Sequence, residues 1–166
     1  PGQGAIVIAP PVFGMYAVCA KLHGARVVEV AAQDTADGWR SDLDAMADAA
    51  LREAATLVFV CNPGNPTGEA IAVGDIERLA RRLHGKALLV VDAAYAEFAD
   101  AGDGASLLAG HDNIVILRTL SKAHALAGAR IGSVIASPSL IAMLKRCQAP
   151  YPLAQPAVQA ALAALA

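Results

Sequence analysis

The chain has 166 residues, with 13 Lys and Arg against 15 Asp and Glu for a net charge of −2, enough length for one domain with a real core and too little charge imbalance to suggest a nucleic-acid or membrane-surface partner. Apolar residues make up 56% but aromatics only 4%, so the core is expected to be Val, Ile, Leu and Ala, as in buried parallel strands flanked by Ala-rich helices. The apolar runs are about five to seven residues long, too short to span a bilayer.

The chain opens at PGQGAIVIAP, inside folded-looking sequence and with no recognisable signal peptide. The first apolar run, AIVIA (5–9), reads as a buried strand and runs into PPVFGMY (10–16), where Phe13 or Tyr16 could cover a flat ligand. A second strand, RVVEV (26–30), follows. SDLDAMADAALREA (41–54) predicts a helix, with Ser41 as its N-cap and Leu43, Met46, Ala47, Ala50 and Leu51 at helical spacing.

The third strand, TLVFV (56–60), leads into CNPGNPTG (61–68). Two Asn-Pro steps, two glycines and a threonine fix a rigid turn there, a setting in which cis X-Pro bonds occur. VGDIERLARRLHG (73–85) predicts a second helix, with Ile76, Leu79, Ala80 and Leu83 on one face and Gly85 closing its C-terminus. ALLVV (87–91) is the fourth strand, and DAAYAEF (92–98) sets Asp92 at its carboxyl end with Tyr95 three residues on.

NIVIL (113–117), the fifth strand, runs into RTLSKAHALAGARIG (118–132). Thr119 and Ser121 surround Lys122, and Arg130 follows. A lysine nucleophile needs a fixed position and a lowered pKa, and hydroxyls with an arginine fork can hold a phosphate. GSVIA (132–136) is the sixth strand and SPSLIAMLKRCQ (137–148) a further helix. APYPLAQPAV (149–158) is the proline-rich break, and an Ala-rich helix then runs to the end of the chain. A chain that begins with a strand and stops inside a helix is expected to be a piece of a larger protein. Cys19, Cys61 and Cys147 are widely spaced and odd in number, and read as reduced core thiols in a cytoplasmic protein, with no disulfide framework and no metal site.

Alternating strands and helices predict an α/β fold, a mostly parallel, doubly wound sheet with flanking helices. Ligands then bind beyond the carboxyl ends of the strands. Each string alone is compatible with a surface loop, a capping Asp, packed aromatics or a solvated lysine. Four at one edge of one sheet are not: Asp, Lys, Asn, Tyr, Arg and an aromatic ring are the groups that pyridoxal phosphate requires.

PPVFGMY, CNPGNPTG, VVDAAYAEF and RTLSKAHALAGARIG, in that order, resemble the fold-type I pyridoxal-phosphate-dependent aminotransferases, and within them the histidinol-phosphate aminotransferases. The resemblance covers about residue 2 to the 149–158 stretch. It implies that Lys122 carries the cofactor through its amine and shuttles a proton at the substrate Cα. Asp92 pairs with the pyridinium nitrogen, while Asn65 and Tyr95 hydrogen-bond the 3′ oxygen. Arg130, Ser121 and Thr119 bind the phosphate, and Phe13 stacks on the ring. Lys122, Asp92 and Tyr95 form the catalytic group.

The implied reaction moves an amino group from histidinol phosphate to 2-oxoglutarate, giving imidazole acetol phosphate and glutamate, in histidine biosynthesis. An aromatic amino acid aminotransferase, or a non-catalytic ligand-sensing domain, is the alternative. The partners are a small-molecule amino donor, a 2-oxo acid and a second copy in a homodimer. Two departures stand out: Phe13 where the family has Tyr, and Ala93 where it has Glu. Residues 1–148 then form an incomplete cofactor-binding domain, and 149–166 lead toward a small domain lying outside this chain.

Overall fold

The computed structural model describes residues 4–100, 102 and 104–166. Residues 1–3, where the expected domain and the family resemblance begin, lie outside the described residues. A six-stranded sheet is built from β1 (Ala5–Ile8), β2 (Arg26–Glu29), β5 (Leu57–Cys61), β6 (Leu88–Asp92), β7 (Ile114–Thr119) and β8 (Gly132–Ala136), in the order β2-β1-β5-β6-β7-β8. Every pairing is parallel except β7 with β8. The α/β, mostly parallel prediction therefore matches, with an antiparallel strand at one edge.

Chain order reverses at β1. The chain steps outward to β2, then returns to pair β5 on β1's other side. Such a switch leaves a crevice at the strand carboxyl ends.

Helices cover both faces. α2 (Leu43–Arg52) and α3 (Val73–Leu83) pack Met46, Ala47, Ile76, Leu79 and Leu83 onto Val7, Val58, Val60, Leu89, Val91, Ile114 and Ile116. Alternate strand residues point the other way, as a pleat requires: Ile6 and Ile8, with Phe59, pack against Tyr16 and Ala20 of α1 (Met15–Leu22). α4 (Pro138–Cys147) lies beside β8, and α5 (Gln155–Ala164) follows the proline-rich break.

Several expectations are corrected. The N-cap of α2 is Asp42, which accepts from the Ala45 N–H at 2.8 Å. Ser41 is used elsewhere, by Glu69. β8 is exposed along most of its length and β2 only half-buried, so neither is a buried strand of the kind β5 and β6 are. Both lie at sheet edges, where only one neighbour shields them. Cys61 is buried, but Cys19 and Cys147 are exposed free thiols, because their helices turn those positions outward.

Two elements were not anticipated. α1 is eight residues long and largely apolar, too short and too uniform to show a helical stripe. A small antiparallel hairpin pairs β3 (Gln33–Thr35) with β4 (Gly38–Arg40). Its turn signal, Asp37-Gly38, was present, and Gly38 takes the positive φ of 100° that such turns use. Among the described residues no helix is long and apolar enough to cross a membrane.

Candidate active site

Four loops leave the carboxyl ends of β1, β5, β6 and β7 side by side. Asp92 is the last residue of β6, and the register sets it between Cys61 of β5 and Leu117 of β7. Its short side chain therefore stands at the centre of the crevice.

The β5 loop is the most tightly built. Asn62, fully buried, pairs both ends of its amide with Ile71: Nδ2 donates to the Ile71 carbonyl at 3.0 Å, and the Ile71 N–H donates to Oδ1 at 2.8 Å. The Gly64 N–H donates to the Glu69 carbonyl at 2.7 Å, and the Gly68 N–H to the Gly64 carbonyl at 2.9 Å. Gly68 needs its φ of 72°, which glycine adopts without penalty. Asn62–Pro63 and Asn65–Pro66 are both cis, as the sequence allowed, and so is Pro10–Pro11. The Glu69 carboxylate accepts from the Ser41 N–H at 2.7 Å and the Ser41 hydroxyl at 2.6 Å, tying the loop to the start of α2. Asn65 rides on this frame.

After β6 the chain turns at once. Asp92 Oδ1 accepts from the Ala94 N–H at 3.1 Å, and Glu97 pairs with Arg118 of β7 at 2.7 Å. Burial is the largest single effect on the Glu97 carboxyl and raises it, but the Arg118 hydrogen bond, a backbone hydrogen bond and the nearby Arg118 and His124 charges together outweigh it, and the net shift is downward. After β7, Thr119 Oγ1 bonds with the Ser121 hydroxyl at 2.9 Å and the Ile131 carbonyl at 3.2 Å, and accepts from the Ser121 N–H at 3.1 Å. That knot turns the chain so that Lys122 Nζ stands 5.2 Å from the centre of the Tyr95 ring, within cation–π range.

Phe13, Cys61, Asn65, Asp92, Tyr95 and Lys122 border one cavity with an empty volume of about 300 Å³. Five of the eight residues expected from the sequence thus meet there. Thr119, Ser121 and Arg130 do not border it. Arg130 takes a left-handed φ of 55°, donates from Nη1 to the Ala127 carbonyl at 3.0 Å, and borders a groove shared with Pro152 and Ala157.

Two residues of the site carry more than the sequence reading gave them. Cys61 reaches the cavity wall, with its thiol raised above the usual range chiefly by burial. Tyr16 donates its hydroxyl to Asp92 Oδ2 at 2.6 Å. Burial foremost, then Cys61 and Asp92, raise that hydroxyl above the ordinary phenol range, so Tyr16 stays a donor. Its position three residues after Phe13, at the start of a helix, was the available signal.

A carboxylate, an amine, an amide, a phenol and an exposed ring around one cavity at a strand-end crevice form a site for a flat, polar small molecule. The family model for aminotransferase class I and II matches residues 1–166, and the chain belongs to that family. Histidinol-phosphate aminotransferase of Stenotrophomonas maltophilia is 58% identical over 165 residues, 99% of this chain and 45% of that protein. The enzyme of the same name from Xanthomonas euvesicatoria is 54% identical over 99% of this chain and 46% of its own length. The crystal structure of histidinol-phosphate aminotransferase from Sinorhizobium meliloti in complex with pyridoxal-5′-phosphate superposes with a TM-score of 0.89 at 32% identity, over 99% of this chain and 44% of that one. The chain spans about half the length of the curated relatives it matches.

Proposed function

We propose that this chain supplies most of the cofactor-binding domain of a pyridoxal-phosphate-dependent aminotransferase, one that exchanges an amino group between histidinol phosphate and 2-oxoglutarate in histidine biosynthesis. The observation that carries the reading is the sharing of one cavity by Lys122 and Asp92, with Asn65 and Tyr95 on its wall and Phe13 exposed at its edge. The relatives' names supply the substrate.

The donor set fits the cofactor. When bound, pyridoxal phosphate supplies an electron sink for the pair left at the substrate Cα. The Lys122 amine holds the cofactor aldehyde and moves the proton at the substrate Cα. The Asp92 carboxylate faces the ring nitrogen. Asn65 and Tyr95 donate to the ring oxygen, and Phe13 covers the ring. Ser121, Thr119 and the remaining donors of Arg130 hold the phosphate. Lys122 has no carboxylate within ion-pair distance among the described residues, which leaves its amine available for condensation. Residues 1–148 form the domain, residues 149–166 lead to a small domain, and the working protein is a cytoplasmic homodimer.

The experiment is an amino-donor panel on a chain of its relatives' full length, histidinol phosphate against phenylalanine and tyrosine, after incubation with pyridoxal phosphate. The expected protein is yellow, carries a borohydride-fixed adduct on Lys122, and turns over histidinol phosphate fastest. A protein that stays colourless overturns the cofactor reading. A faster reaction with phenylalanine or tyrosine overturns the substrate.

A further inference from the structure

Asp92 is anchored at both oxygens, by donors from two unrelated elements. Oδ1 takes the Ala94 N–H, two residues along the chain, and Oδ2 takes the Tyr16 hydroxyl, 76 residues away. A carboxylate turns easily about its last side-chain bond, whose torsional wells are broad. Two donors from separate directions remove that freedom.

Tyr16 is itself fixed. It is only 7% exposed. Its ring stacks on Phe59 with centroids 4.7 Å apart, and Phe13 meets it edge-on at 5.6 Å. Tyr16 does not border the cavity; it touches two residues that do, Phe13 through its ring and Asp92 through its hydroxyl, and only the hydroxyl contact is lost when the oxygen is removed. A neutral donor suits the Asp92 contact. A lysine or arginine in its place would neutralise the carboxylate, whereas a phenol orients it and leaves its negative charge for a cationic ring nitrogen.

We propose that Tyr16 is a positioning residue whose hydroxyl fixes the rotation of the Asp92 carboxylate, so that it meets the ring nitrogen of the cofactor at a hydrogen-bonding angle. This rests on the pyridoxal-phosphate reading above.

The test uses the full-length protein and its Tyr16→Phe variant, each stripped of cofactor. Both are titrated with pyridoxal phosphate and with its 1-deaza analogue, in which C–H replaces the ring nitrogen. Phenylalanine keeps the ring on Phe59 and removes only the oxygen. Tyr16→Phe is expected to weaken pyridoxal phosphate binding by roughly ten-fold, the scale of one hydrogen bond to a charged group, and to leave analogue binding nearly unchanged. The ratio of the analogue's dissociation constant to that of pyridoxal phosphate therefore falls by roughly ten-fold. A merely structural loss weakens both ligands alike, and an unchanged ratio overturns the proposal even if the variant folds poorly. Wild-type protein that binds neither compound refutes the cofactor reading itself. Wild-type protein that binds both equally removes Asp92's role, and Tyr16's with it.

Discussion

Asn62 and Ile71 are joined as paired strand residues are, except that one partner uses its side chain. The Asn62 amide gives Nδ2–H to the Ile71 carbonyl and takes the Ile71 N–H on Oδ1, at 3.0 and 2.8 Å, in a buried setting. This bridge closes the loop that carries Asn65. Removing it strands a buried donor and a buried acceptor on Ile71, each costing about 1–3 kcal/mol. Asn62→Ala is expected to destabilise the protein by about 2–6 kcal/mol, seen as a lower urea midpoint. A loss below about 0.5 kcal/mol, the range of ordinary surface changes, means water replaces the amide.

The Ser41–Glu69 contact is the second brace on the same loop. Glu69→Ala removes two acceptors from Ser41 and is expected to cost about 1–3 kcal/mol. Glu69→Gln keeps an acceptor and should recover part of that loss. Chemical denaturation of wild type and the two variants side by side gives the comparison, and a Glu69→Ala variant as stable as wild type would mean the bonds contribute nothing.

Tyr16 sets a pH dependence. Its folded value lies above the unfolded value of about 10. The proton it keeps therefore stabilises the fold fully below about pH 10, and that stability is lost as pH rises above it, because the unfolded chain ionises first. The stability difference between wild type and Tyr16→Phe is expected to shrink from about pH 9 to about pH 11. Urea titrations across that range would expose a constant difference, which contradicts the assignment.

Asp92→Asn keeps the side chain's shape and removes its charge. Turnover by the full-length enzyme is expected to fall about a hundred-fold or more, the scale for losing one fixed electrostatic group at a reacting centre. Thermal stability should change little. Steady-state rates near wild type would show that the carboxylate has no electronic role.

Arg130→Ala tests the phosphate end. Loss of a charged donor is expected to weaken cofactor binding by about 2 kcal/mol, roughly thirty-fold in Kd. Arg130 borders a different groove from Lys122, so its role requires a phosphate that reaches past the cavity edge. An unchanged Kd by fluorescence titration would assign Arg130 to the Ala127 turn alone.

The chemistry of the site was legible because it is local. Asp92 ends its apolar strand, and Lys122 and Asn65 follow theirs by three and four residues, so a strand's end limits where each can stand. Helices α2 and α3 showed their apolar stripes for the same reason, since a 3.6-residue period is visible within one segment. β8 misled because an apolar string looks the same at a sheet's centre and at its edge. The difference lies in how many neighbours it has, and that is a property of the whole sheet.

By itself, then, the sequence determined the strands of the sheet, the order of the four loops, the family, and the residue types offered to a ligand. Only the tertiary structure decided which of them share a cavity, that Tyr16 reaches Asp92 across 76 residues, and that Ser41 serves Glu69 instead of capping a helix. The physical reason is range: backbone propensity and periodicity act over a few residues, while a side-chain hydrogen bond is chosen by whichever donor and acceptor the packed sheet brings within about 3 Å.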